Sequence, residues 1–313
     1  MQLVNYRAPE TGTPRLGALI GDRVVDLEAA GQAIGAELPA AMADFIALGD
    51  AGLDRAEQAL ASGAGMIGAD VRLLAPIPPQ SKNLFCVGRN YRAHIIEAAR
   101  ALGVDVAFPP AVELFSKPPT TVIGPEAPIE WDPAVTQKLD YEVELAFVIG
   151  TRGANIAVER AMDHVYGFTA ANDVSARDLQ FLHGQWFKGK ALDTFCPIGP
   201  TLVPRRYVAD PHKLGLRLRV NGETRQDSTT ADLLFRIPEI VAQLSAGLTL
   251  QPGDIVLTGT PSGVALGMPG QPWLKDGDLI EIEIDGIGLL RNRVQAVRST
   301  APSAEALSSS RTA

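Results

Sequence analysis

The chain has 313 residues, of which 46% are hydrophobic and 20% charged, and its net charge is −8. That length and apolar content suit a globular protein with room for two domains or one large one. The acidic balance, with no Lys/Arg block, argues against nucleic acid or an anionic membrane as partner and leaves small molecules or other proteins.

The start, MQLVNYRAPETG, lacks the basic and apolar regions of a signal peptide, and no apolar run approaches the ~20 residues of a membrane span, so a cytoplasmic location is expected. RLGALIGDRVVDL reads as a hairpin turning at Gly21-Asp22. LPAAMADFIALG and AGLDRAEQALASG carry helical patterns, each stopped by glycine. LLAPIPPQSKN, residues 73–83, places three prolines in a short stretch and reads as a linker. A small N-terminal α+β domain over 1–75 is therefore expected, followed by a larger domain over 76–298 and a small, polar tail over 299–313 that reads as disordered.

Beyond residue 83 short strands dominate: NLFCVG, VELFS, YEVELAFVIG, HVYGFTAAND, GLRLRVNGE, DIVLTGT and a hairpin across 279–294. Helices are expected at about 91–102, 158–163, 175–182 and 233–245. Strands with scattered helices and no βαβ rhythm imply an α+β fold around a mixed sheet system. Cys86 and Cys196 lie in apolar surroundings and read as core residues. The four histidines are scattered, which disfavours zinc.

KLDYEVELAFVIGTRG, residues 138–153, looks like a buried strand interrupted by acid. Asp140, Glu142 and Glu144 alternate, so in a strand they share one face about 7 Å apart. Burying such carboxylates costs several kcal/mol unless positive charge is near. Lys138, an arginine or a bound cation would supply it; otherwise the face is solvated. Glu281 and Glu283 make a control, because there acids alternate strictly with isoleucines, as on a wet sheet face.

Four other stretches carry polar groups. In FCVGRNYRAHIIEAARALG, His94 and Glu97 share a helix face, either as an oriented general base or as an ordinary surface pair. Asp173, in NDVSARDLQ, stands where an N-cap would, and would otherwise add a third oxygen donor. Arg177 and Gln180 share the next helix face, suited to a substrate carboxylate or to solvent. Lys117, Lys188 and Lys190 sit among prolines, glycines and apolar residues, and LTGTPSGV is a turn of N–H groups and hydroxyls without the lysine of a P-loop.

Taken in order, GRNYRAHIIE, LFSKPPT, DYEVELAFVIG, NDVSARDLQ, KGKALDTFCPIGP and LTGTPSGV resemble the fumarylacetoacetate hydrolase family, from about residue 83 to 297. The resemblance implies a mixed β-roll, usually dimeric, with Glu142, Glu144 and Asp173 as metal ligands for Mg²⁺ or Mn²⁺, Ca²⁺ being a further occupant. It implies that His94, Glu97 and Lys190 are catalytic. It also implies that Arg89, Tyr91, Lys117, Arg177, Gln180 and Thr260 contact a small 2-oxo acid. Longer stretches at EAARALGVDVAFPPAVELF and LHGQWFKGK set this chain apart from shorter members and would border the pocket.

Family members run several reactions through a metal-stabilised enolate, and fold does not choose among them. The expected activity is hydrolysis of the C–C bond of an acylpyruvate or related 1,3-dioxo acid, as in aromatic catabolism. The alternatives are decarboxylation or enol/keto isomerisation of a 2-oxo dicarboxylic acid, and a non-catalytic metal-stabilised binding protein. A purely structural metal site, however, needs no base beside it.

Overall fold

The computed structural model describes residues 1–8, 12–68, 71–78 and 82–297. The expected tail over 299–313 lies outside these, as do residues 79–81 of the Pro-rich stretch. Two sheets dominate the described residues, one of twelve strands and one of five, as an α+β roll requires.

At the centre of the larger sheet is Val143–Ile149, seven residues all buried, as an apolar run on both faces predicts. It pairs antiparallel with the equally buried Val165–Asn172 and with Ile255–Leu257. Leu84–Gly88 lies parallel to Ile255–Leu257, and Glu113–Lys117 is antiparallel to Leu84–Gly88. The sheet thus brings the motif-bearing strands side by side.

The smaller sheet orders Glu223–Thr229, Gly215–Val220, Leu279–Ile284, Gly288–Ala296 and Ile129–Trp131. In Leu279–Ile284 the isoleucines are buried while Glu281 and Glu283 stay half-exposed, which is the wet face that the alternation predicts. Leu145, Phe147 and Phe168 of the larger sheet share one core cluster with Leu218, Ile280 and Ile282 of the smaller, so the sheets close over each other.

Near the N-terminus the expected hairpin forms, with Gly21 at φ 63 in its turn, a conformation suited to glycine. Helices Met42–Ala47 and Gly49–Ala61 follow, and a further helix, Leu27–Ala33, is capped by the Asp26 side chain at the Ala29 N–H. The Pro-rich stretch begins as strand Arg72–Leu74, paired with Gln2–Arg7.

Cys196–Pro204 is a strand that the sequence hides behind Pro197, Pro200 and Pro204, residues that cannot donate to a ladder. It pairs with Val165–Asn172 on one side and, at Leu202↔Leu3, with Gln2–Arg7 on the other. Leu3, Leu16 and Phe45 accordingly share a core with Cys86, Val148, Cys196 and Leu257. Both cysteines are free and buried, as expected. Helix Arg92–Leu102 ends at Gly103, whose left-handed φ of 67 closes it, and helix Ile237–Ser245 begins later than its sequence pattern suggests.

Candidate metal and substrate site

The acidic stretch is not one continuous strand. Pairing lapses at Tyr141 and Glu142, between Leu139–Asp140 and Val143–Ile149. The register Glu144↔Ala171 and Val143↔Asn172 sets this break beside the end of Val165–Asn172. There the Asp173 N–H donates to the Glu142 carbonyl at 2.9 Å, and the Glu142 N–H donates to Asn172 Oδ1 at 3.0 Å. Glu142, Glu144 and Asp173 are consequently gathered, all buried, with one oxygen of each within 4.8 Å of the others.

Positive charge surrounds them. Lys190 Nζ donates to Glu142 Oε2 at 2.6 Å and to Asp173 Oδ2 at 2.8 Å. Lys117 Nζ donates to Asp173 Oδ1 at 2.6 Å and to the Val174 carbonyl at 3.1 Å. Arg177 donates from Nη2 to Glu142 Oε1 at 2.7 Å, from Nε to Asp140 Oδ2 at 2.8 Å and from Nη1 to Gln180 Oε1 at 3.0 Å.

These contacts treat the carboxylates differently. Burial alone would raise Glu142, but Lys190 and Arg177 outweigh it and hold the group down at about 2. Glu144 is pushed well above the usual carboxylate range by burial and by the charges of Asp173 and Glu142, against Lys190 and a Gly259 N–H at 2.7 Å. Four acids, Asp140 included, gather around three cationic side chains, and Glu144 is the one that none of the three contacts. Three carboxylates with no nitrogen or sulfur donor fit a hard divalent cation such as Mg²⁺, Mn²⁺ or Ca²⁺.

Across the cleft stands His94, its Nδ1 3.4 Å from Glu97 Oε2. Glu97 is fixed from behind by the Gly263 N–H, at 2.9 and 3.1 Å from its two oxygens. His94 lines the cleft and Glu97 does not, so the carboxylate can orient the imidazole from behind while the imidazole faces the cleft.

Of the expected substrate contacts, Arg89, Arg177, Gln180 and Thr260 line the cleft. Two do not. Lys117 is fully buried behind Asp173, which it neutralises, and the Tyr91 ring is buried outside the cleft while its backbone bridges Leu233. Both stand behind the cleft wall rather than on its surface. Arg89 is also committed, pairing with Glu113 and donating to the Ala107 carbonyl. Arg177 holds protein groups on all three nitrogens, and Gln180 gives its carbonyl oxygen to Arg177, which leaves its NH₂ as the end that can donate.

Other side chains escape a sequence reading. Gln226 accepts the Val143 N–H at 2.9 Å and donates to Thr260 Oγ1 and the Pro261 carbonyl, both at 2.9 Å, which fixes the Thr260 turn. Nothing in NGETRQDSTT marks it. Trp186 packs on Gly88, where a β-carbon would lie 2.8 Å from Trp186 Cη2 and closer still to Cζ3. It also meets Phe115 edge-on at 5.7 Å, and the Phe115 ring lies 5.2 Å from Lys190 Nζ. The only signal for this wall is the aromatic, glycine-rich LHGQWFKGK.

Among the described residues no helix is long and apolar enough to cross a membrane. The family model described as fumarylacetoacetate (FAA) hydrolase C-terminal matches residues 83–295. The chain is 48% identical over 226 residues to oxaloacetate tautomerase YisK of Bacillus subtilis, covering 72% of this chain and 74% of that one. It is 40% identical over 299 residues to the mitochondrial oxaloacetate tautomerase fahd2 of Xenopus laevis, covering 94% and 90%. A fumarylacetoacetate hydrolase from Exiguobacterium antarcticum superposes with a TM-score of 0.75 at 38% identity over 95% of this chain and all of that one. A maleylpyruvate hydrolase from Sphingobium, solved with manganese(II) and pyruvate, gives 0.74 at 33% over the same shares. With its roll, its acidic triad and matches of this extent, the chain belongs to the fumarylacetoacetate hydrolase family.

Proposed function

We propose that the protein is a metal-dependent keto–enol tautomerase of a short 2-oxo dicarboxylic acid of the oxaloacetate type. This favours the isomerase alternative over the C–C hydrolysis first expected. The observation that carries it is the single imidazole, His94, facing the carboxylate triad with its other side tied to Glu97. Tautomerisation needs one base beside the carbon next to the 2-oxo group and no activated water. Oxaloacetate tautomerases at 48% and 40% identity support the same reading.

A cation held by Glu142, Glu144 and Asp173 would supply positive charge to the 2-oxo and carboxylate oxygens and so stabilise an enolate. His94 takes a proton from C3 of the keto acid. The C–H electron pair becomes the C2–C3 double bond while the carbonyl pair moves onto oxygen. Protonation of that oxygen gives the enol, and the reverse sequence returns the ketone. Glu97 stabilises the imidazolium that forms. Gln180 donates to the substrate carboxylate, and Lys190 keeps Glu142 ionised. The homodimer and cytoplasmic setting expected from the sequence belong to the same proposal.

A second reading has one specific support, the maleylpyruvate hydrolase likeness: the same dyad activating water would cleave an acylpyruvate. The test is to mix enol-oxaloacetate with the protein and Mg²⁺ or Mn²⁺, follow loss of the enol absorbance and assay pyruvate in parallel. Accelerated ketonisation without matching pyruvate is expected, and His94→Ala should lose it. Pyruvate release from acylpyruvates with no acceleration of ketonisation would overturn tautomerisation in favour of hydrolysis.

A further inference from the structure

Asp140, the first acid of the alternating stretch, is fully buried yet outside the metal triad. Its Oδ1 accepts the N–H groups of Ala265 at 2.7 Å and Tyr141 at 2.9 Å. Its Oδ2 accepts Arg177 Nε at 2.8 Å and the Leu266 N–H at 3.1 Å. Four donors saturate a carboxylate.

Those donors lead in two directions. Arg177 continues to Glu142, one of the proposed metal ligands. Ala265 and Leu266 open the turn Ala265–Gly267, where Leu266 lines the cleft and Gly267 packs on Glu97 of the dyad. We infer that Asp140 is a positioning residue that couples the two halves of the site, cancelling the charge of Arg177 beside the triad and fixing the turn that seats Glu97.

The charge part has a definite sign. Asp140 pairs with Arg177 at 2.8 Å and so offsets part of its positive charge beside the triad, which favours a cation there. Asp140→Asn preserves shape and one acceptor oxygen but leaves the guanidinium with Glu142 as its one anionic partner, so more of its charge bears on the triad. Mn²⁺ affinity should then fall by about tenfold, because a unit charge at this range in a buried site outweighs solvent screening. Arg177→Met should change it in the opposite direction, by roughly threefold or more. The double variant restores the charge balance and should return Mn²⁺ affinity to within about threefold of wild type.

The geometric part separates from this. Turnover in Asp140→Asn should fall by roughly 10², mainly in kcat, since a displaced dyad no longer places its base. The double variant should not recover it, because the turn still lacks its second acceptor.

Calorimetric titration of the purified chain and its variants with Mn²⁺, without substrate, decides the charge part. The inference rests on the metal site proposed above but not on the reaction, so a chain that proves to be a hydrolase leaves it standing. Wild-type protein that takes up no Mn²⁺ would instead remove the metal reading itself. Equal affinity in all variants, or a double variant no better than Asp140→Asn, overturns the coupling. Should Asp140→Asn fail to fold, Arg177→Met still decides: no gain in Mn²⁺ affinity defeats it.

Discussion

Gly267 lies directly against Glu97: a β-carbon at 267 would fall 2.7 Å from Glu97 Oε1 and closer still to Cγ and Cδ. Glu97 cannot simply retreat, because Gly263 holds both its oxygens. Gly267→Ala should therefore break the orientation of His94 without touching a metal ligand. Turnover should fall by roughly 10², the lower end of the range for a lost general base, while calorimetric Mn²⁺ affinity stays as in wild type. Full activity would mean that Glu97 does not need this seat.

A cation that binds only the folded chain stabilises it. At a hundredfold excess over Kd the gain is about 2.7 kcal/mol, which corresponds to a melting shift of roughly 4 °C for a chain of this size. Glu142→Gln should abolish the shift on adding Mg²⁺ or Mn²⁺ after chelation. Glu281→Gln, on the wet face of the smaller sheet, should keep it. The opposite pattern in a thermal scan would place the metal elsewhere.

Lys117 and Asp173 form a fully buried ion pair at 2.6 Å. Lys117→Met leaves Asp173 with Lys190 as its remaining cation, a partner it shares with Glu142, and breaking such a buried pair costs up to about 3–5 kcal/mol. Urea denaturation in chelator should show that loss, and saturating Mg²⁺ should shrink it, because the metal replaces the missing positive charge. A deficit that ignores metal would separate Lys117 from the cation site.

Trp186 walls the cleft only because residue 88 has no side chain in its way. Trp186→Ala removes the wall directly, and Gly88→Ala displaces it. Both should raise kcat/KM for long-tailed 2-oxo acids relative to short ones by about tenfold, the scale of one or two methylenes in an apolar pocket. Equal changes across a chain-length series would make Trp186 a general packing residue.

The parts of the site that the sequence reveals are those with a local pattern. Glu142 and Glu144 stand out because an all-apolar strand makes a carboxylate conspicuous, and His94 and Glu97 because helical spacing pairs them. Asp140 shares the alternation of the glutamates but not their role, since strand pairing lapses at Tyr141 and no periodicity marks such a break. Lys117 and Lys190 look alike in sequence. Only the packing of Glu113–Lys117 against Leu84–Gly88 sends one behind Asp173 and leaves the other facing the cleft. The α+β class was legible from strand spacing, whereas Cys196–Pro204 was not, because proline content is the usual sign that a segment is not a strand. Gln226 acts wholly through contacts distant in sequence, which no local reading supplies.

The Leu3↔Leu202 pairing bears on where the chain can be cut. The family match begins at residue 83, which makes that point look like a natural start for a shorter protein. Yet trimming residues 1–82 would strip Gln2–Arg7 from Cys196–Pro204, leaving an open strand edge. It would also bare Cys86, Val148, Ile198 and Leu257, which now pack against Leu3, Leu16 and Phe45. Open edges and uncovered apolar faces recruit other chains. The leading segment thus covers a strand edge and an apolar face of the roll, and sequence grafted there must bring its own edge strand and its own leucines.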